Sequence, residues 1–507
     1  MTSFDETFRS AYDFTQPGID VAHILKDGKP AAGLPVRIPL SMMNRHGLIA
    51  GSTGTGKTRT LQVLAEGLSK NGVPVLLADV KGDLAGMARA GQVNDRILER
   101  AKSVGAEFKP DSFPVEFFSL TGSHGTQLRA TVSSFGPILL GKVLDLTEVQ
   151  QSVLAMVFKY CDDRQMPLLD FEDLRSVLTF LSDEGKEELK QYGGMSGATV
   201  GVLVRKMVEL EQQGAGKFFG EPELEITDLM QTVGGRGAVN ILSLADVQDK
   251  PRLYSTFLMW LLGQFYHRMP EVGDPDKPKL VFFFDEAHLL FNDSSSALVE
   301  HIEQVARLIR SKGIGVFFIT QTPKDVDEDV LAQLGNRIQH AVRAFTPTDA
   351  RNLKATASTF PKSEFFDVSA LLTTLGTGEA LVTVLSPRGV PTPVAAAQIV
   401  TPSSSMTALD EAGYQQVLSA SALARKYNTP IDRESAHEIV ERKLAEAAND
   451  VPPAAKAPRA PASRRAEPKG VVEKALGSRM AQNVARQATR TVTQAVVRGL
   501  FGLLKGR

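Results

Sequence analysis

The run Gly51-Ser52-Thr53-Gly54-Thr55-Gly56-Lys57-Thr58 restricts what this chain can fold into more than any other segment. It fits the phosphate-loop pattern G-x-x-x-x-G-K-[ST] in full. Glycines let the backbone curl so that several N–H groups point inward, and a helix starting at the loop's end favours an anion there. Lys57 would place a point charge on the β- and γ-phosphates of a nucleotide, and the Thr58 hydroxyl would ligate Mg2+. Such a loop needs a strand before it and a helix after it, and both are legible. His46–Ala50 is a short apolar strand, and Leu61, Leu64, Ala65 and Leu68 recur at helical spacing within Thr58–Asn71.

Three apolar strands end in residues that could serve such a loop. Leu280–Phe284 reads LVFFF and is closed by Asp285 and Glu286. A strand this apolar is buried on both faces, and its end is expected beside the phosphate loop at the ligand-binding edge of an α/β sheet. Asp285 is then placed to hold Mg2+ through water, and Glu286 to polarise the attacking water as general base. Val75–Ala78 is closed by Asp79, which lacks a neighbouring Glu and so suits a metal better than water activation. Asp79-Val80-Lys81-Gly82-Asp83 reads as a loop adjacent to the site. Ile314–Thr320 is closed by Gln321, whose amide can hydrogen-bond the γ-phosphate or the attacking water. His288 completes the letters D-E-A-H and is as readily a capping or packing residue as a chemical one. Arg307, Arg310, Arg337 and Arg343 are candidates for an arginine offered to a neighbouring subunit's site, Arg310 first and Arg337 second.

Further strands are expected at Val115–Leu120, Ala238–Leu242, Ile338–Phe345 and Ala380–Leu385, with helical patterns over Arg252–His267 and Ala297–Ser311. Strands alternating with helices predict an α/β, RecA-like P-loop fold with a mostly parallel central sheet. Residues 46–137 and 215–400 would form this core. Residues 1–45 read as a short N-terminal appendage of small strands, 138–214 as a helical insertion, and 401–450 as a helical extension. Residues 451–469 are a Pro/Ala/basic linker of disordered type, and 470–507 a basic amphipathic helix with an apolar residue at every fourth position.

In this order, GSTGTGKT, ADVKGDL, FFFDEAHLLF, RLIRSKGIGVFFITQTP and GNRIQHAVRAFTPTDA resemble the HerA–FtsK superfamily of ring-forming ATPases, and most of all the bacterial HerA-like proteins. The likeness covers roughly residues 40–390. It implies ATP and Mg2+ as ligands, with residues 51–58 as the nucleotide loop and Thr58 and Asp285 at the metal. It further implies Glu286 as the catalytic acid, Lys57 at the phosphates, Gln321 as the sensor and Arg310 as the trans-acting arginine. A hexameric homo-oligomer that translocates or unwinds DNA is the matching expectation. About 45 residues precede the loop, little room for the β-barrel that HerA proteins carry there.

Charge bears on the partner. The chain carries a net −1, yet the stretch from Lys456 onward holds twelve Lys/Arg against Glu467 and Glu473, leaving −11 on the rest. A basic tail on an acidic body suits nucleic acid, an anionic membrane or a protein partner. A membrane-peripheral or protein-remodelling ATPase, or a nucleotide-controlled scaffold, is therefore the alternative to a DNA motor. Cys161 is the single cysteine, which rules out an intramolecular disulfide. Without a signal-peptide pattern or an apolar run of spanning length, the sequence reads as cytoplasmic.

Overall fold

Long apolar strands flanked by amphipathic helices can bury both of their faces only in a layered sheet, and that is how this chain folds. The computed structural model describes residues 3–449 other than 106, 292–295, 430 and 432. In chain order the strands of the main sheet are β1 Gly18–Lys26, β2 Lys29–Pro39, β3 Gly47–Ala50, β4 Val75–Asp79, β5 Val115–Ser119, β6 Thr126–Gln127, β7 Val239–Ser243, β8 Leu280–Phe284, β9 Ile314–Thr320, β10 Asn336–His340, β11 Glu379–Thr383 and β12 Ala395–Ile399. They lie in the order β2-β1-β12-β11-β10-β3-β9-β8-β4-β7-β5-β6. Every neighbouring pair from β10 to β6 is parallel. The pairs from β2 to β10 are antiparallel. The sheet is therefore mixed and largely parallel.

The period-two alternation of strand side chains divides the core between two layers. Phe282 and Phe284 of β8 pack on one face with Phe257, Trp260 and Phe265 of the helix Pro251–Arg268. Phe283 faces the other way, with Phe317 and with Leu61, Leu64 and Leu68 of the helix Lys57–Lys70. The rings of Phe283 and Phe317 stack at 5.2 Å, and Phe265 meets Phe282 edge-on at 5.3 Å.

Between β6 and β7 the chain runs through the helices Val132–Val143, Glu148–Asp163, Phe171–Ser182 and Gly197–Gln212. Helix thus begins ahead of residue 138, with a break at Gly136 before Pro137. Asp170 starts the third of these helices with a capping box completed by Asp173. Residues 1–45, expected as a short appendage, supply β1 and β2 and so extend the central sheet itself, through the pairing of β1 with β12. The strand expected at Ile338–Phe345 ends at His340, and Phe345 lies in an exposed loop. Beyond β12 come the helices Glu411–Ala420, Ala422–Tyr427 and Ala436–Asn449. The linker at 451–469 and the basic helix at 470–507 lie outside the described residues. No helix among the described residues is long and apolar enough to cross a membrane.

Candidate nucleotide site

At the carboxyl end of β3 the chain turns through Gly51, Gly54 and Gly56, with φ of 151°, 78° and 123°, before the helix that begins at Lys57. A Cβ on Gly51 would stand 2.6 Å from that of His340, and one on Gly56 would stand 3.1 Å from the Gly378 Cα. Glycine is required at both places by conformation and by space. The loop is braced from the β10 side. Ser52 N–H donates to Ala341 O at 2.9 Å, Gly378 N–H to Thr55 O at 2.8 Å, and Arg343 N–H to Ser52 Oγ at 3.0 Å. Beneath it His340 donates from Nδ1 to Glu379 O at 2.9 Å, so Nε2 accepts from the Thr60 hydroxyl at 2.8 Å. Burial pushes His340 down to about 4, so a neutral ring supports the loop.

The loop's own groups face an anion site. Gly56 is the helix N-cap and supplies no side-chain cap, so no capping side chain takes the first helical N–H groups. Lys57 Nζ lies 2.6 Å from Gly51 O and 3.3 Å from Ser52 O. Burial lowers the Lys57 ammonium, and the charges of Glu286 and Asp285 oppose that shift. The two acids thus act on the lysine across a separation of more than two hundred residues in sequence. Strand register explains the meeting. Ala50 pairs with Thr320, and Phe318 with Phe284, so β3, β9 and β8 end close to level.

β8 is not the neighbour of β3, because β9 lies between them. Gln321, exposed at the end of β9, therefore stands between the lysine loop and the acids.

Asp285 and Glu286 are both buried, at 7% and 8% exposure. Burial, and next the charge of Glu286, push the Asp285 carboxyl up to about 6. Glu286 has a left-handed φ of 48°, unusual for a residue with a side chain. Its Oε1 accepts from Lys81 Nζ at 3.0 Å. Its Oε2 is buried without a hydrogen-bond partner among the described residues, 3.4 Å from His288 Nδ1. These features fit a magnesium–triphosphate: glycine-shaped N–H groups, a lysine at the loop, a Thr58 hydroxyl with no partner among the described residues, and a buried acid pair with an unsatisfied oxygen.

Asp79, which closes β4, is buried. Its carboxylate accepts the N–H groups of Lys81, Gly82 and Leu84 at 3.1, 2.8 and 2.9 Å and so staples its own loop. Of the arginines, Arg307 pairs with Glu303 one helical turn away. Arg337 is bound to Leu331 O and Leu334 O, and Arg310 pairs with Asp274 at 3.2 Å. Arg310 precedes β9 and so sits at the sheet edge opposite its own phosphate loop. Lys81 lies in the segment that the sequence marks as a loop adjacent to the site but assigns no role, and no local pattern points to His340.

A glycine-rich loop after β3, with β9 and the acid-tipped β8 beside it in a parallel sheet, defines a RecA-like P-loop fold. The family described as Helicase HerA-like C-terminal matches residues 25–507, and the chain belongs to it. The DNA double-strand break repair helicase HerA of Sulfurisphaera tokodaii is 23% identical over 370 residues, covering 68% of this chain and 64% of that protein. This chain thus spans just under two thirds of that relative's length. The probable DNA double-strand break repair helicase HerA of Methanocaldococcus jannaschii is 22% identical over 415 residues, 75% of this chain and 76% of its own. Among solved structures, the bacterial conjugative coupling protein TrwBdeltaN70 shares the fold with a TM-score of 0.51 at 15% identity, covering 79% of this chain and 92% of its own.

Proposed function

We propose that this chain is an ATP-hydrolysing, ring-forming motor of the HerA-like type that moves along or unwinds DNA. The observation that carries the reading is the strand register, which brings the end of β3 with its lysine loop and the acid-tipped end of β8 to one sheet edge, with β9 between them. In this reading the N–H groups of residues 51–58 and the Lys57 ammonium bind the phosphates of ATP. Thr58 and Asp285 would hold Mg2+, which supplies charge neutralisation at the β- and γ-phosphates when bound. Glu286 takes a proton from the attacking water, Gln321 orients that water, and Arg310 of a neighbouring copy meets the transferred phosphoryl group. DNA as the track is supported by the relatives named as DNA double-strand break repair helicases. ATP is supported by a TrwB structure of the same fold, solved with a non-hydrolysable ATP analogue at a TM-score of 0.50.

The test is ATP turnover with and without single- and double-stranded DNA, with the particle mass measured in ATP. Turnover should rise with DNA and disappear in Lys57→Ala and Glu286→Gln. Glu286→Gln should still bind nucleotide, because the phosphate loop is intact. Turnover indifferent to DNA would remove DNA as the track, and a fully active monomer would remove the ring.

A further inference from the structure

We propose that Lys81 is a positioning residue: it fixes Oε1 of Glu286, so that Oε2 is the oxygen that accepts the proton from water. The inference rests on the ATPase reading and adds a residue and an atom assignment to it.

The backbone under Lys81 is held from two directions. Asp79 accepts three N–H groups of the turn, including that of Lys81 itself, and Gln248 Nε2 donates to Val80 O at 2.8 Å. The side chain that this base carries has one hydrogen-bond partner among the described residues, Glu286 Oε1 at 3.0 Å. Glu286 needs such a hold. It is the second residue past β8 and has a left-handed φ of 48°, a conformation that persists only where its surroundings over-determine it. Its N–H donates to Asp285 Oδ1 at 2.9 Å, and Ala287 N–H to Ile319 O at 2.8 Å, which anchors the backbone. Lys81 anchors the side chain.

The two carboxylate oxygens are thereby made unequal. Oε1 is occupied by the ammonium, whereas Oε2 is buried with no hydrogen-bond partner among the described residues, His288 Nδ1 standing 3.4 Å away. A buried carboxylate oxygen is left unsatisfied at a cost, and an oxygen that must accept a proton during turnover is a reason to bear it. The water proton goes to Oε2, and the water oxygen bonds to the γ-phosphorus. The bond between that phosphorus and the β–γ bridging oxygen breaks, leaving ADP and phosphate. Lys81 keeps its protons and does not touch the substrate.

The test uses the full chain as Lys81→Met and Lys81→Arg, reading kcat, KM and the Kd of a fluorescent ATP analogue. In Lys81→Met kcat should fall on the order of 10²-fold, the scale of a misplaced catalytic group. KM and Kd should stay within about twofold of the wild type, because the phosphate loop is untouched. Lys81→Arg should recover most of kcat. Urea midpoints should be non-additive in a Lys81→Met, Glu286→Gln cycle, which reads the contact without turnover. An unchanged kcat in Lys81→Met, or additive midpoints, would overturn the inference and leave the ATPase reading standing. A loss of analogue affinity matching the loss of kcat would make Lys81 a phosphate ligand instead. A wild type without turnover would overturn the ATPase reading, and this inference with it.

Discussion

His46 shows how one buried side chain sets the acid limit of the fold. Val316 N–H donates to its Nδ1 at 3.0 Å, so Nε2 carries the proton and donates to Ala306 O at 2.6 Å. A second proton on the ring would break the Val316 bond. Burial, then the charges of Arg310 and Arg45, push His46 down to about 4 from its ordinary 6.5. The folded state then binds fewer protons than the unfolded state between those values, so stability falls as pH drops from about 6.5 to about 4. Its full weight is about 3 kcal/mol, and roughly 2 kcal/mol of this is lost by pH 5. His340 and His301 are pushed down to about 4 as well, so His46→Asn should shrink the pH slope without removing it. Urea midpoints at pH 7.5 and 5.0 measure the difference, and equal slopes in the two proteins would refute it. None of this is legible from the sequence, where His46 merely opens an expected strand. Lys57, Thr58, Asp285 and Glu286 are legible because their chemistry demands contiguous patterns. The Lys81–Glu286 bond is not, because its partners stand 205 residues apart and neither neighbourhood names the other.

Side chains tie the phosphate-loop helix to the segment after β12. Glu66, buried in that helix, accepts the N–H and hydroxyl of Ser403 at 2.7 and 2.6 Å, and those of Ser404 at 2.9 and 2.5 Å. Gln62 adds a bond to Ser404 Oγ at 2.7 Å. Removing the carboxylate orphans four donors, two of them backbone, so Glu66→Ala should lose about 2–4 kcal/mol. Glu66→Gln, which keeps an acceptor, should lose less. A shifted denaturant midpoint with an unchanged slope is the expected signature, and an unmoved midpoint would deny the clamp its role. The apolar strands β4, β8 and β9 and the flanking helices are readable from the sequence because burial on both faces leaves an unbroken apolar run. β12 is not, because Ala395–Ile399 is mostly small residues and pairs antiparallel outside the repeating strand–helix units. Strand order is also unreadable: three similar strands end in polar residues, and no local signal says that β9 lies between β3 and β8.

For the whole molecule the decisive geometry is that Arg310 and Gln321 stand at opposite ends of β9. Seven residues at about 3.3 Å each put more than 20 Å between the arginine and its own site. Arg310 pairs there with Asp274, which Arg45 also holds at 2.9 Å. If Arg310 contributes to hydrolysis, it does so in the site of another copy, through a head-to-tail interface that closes as a ring. Arg310→Ala should then abolish turnover while leaving nucleotide affinity intact, as should Glu286→Gln for a different reason. Each site needs the glutamate of one subunit and the arginine of the next. In an equal, randomly assembled mixture of the two inactive proteins, about a quarter of the interfaces combine an intact glutamate with an intact arginine, because a head-to-tail contact draws one face from each neighbour. The mixture should therefore regain up to about a quarter of wild-type turnover, an outcome that a residue acting within its own subunit cannot give. Arg343 would act within its own subunit, since its N–H is bonded to Ser52 of the same loop, so Arg343→Ala mixed with Glu286→Gln should gain nothing beyond its parents. If Arg310→Ala keeps wild-type turnover, Arg310 is only half of a surface ion pair, and if the mixture co-assembles by mass and stays as inactive as its components, Arg310 does not act across the interface.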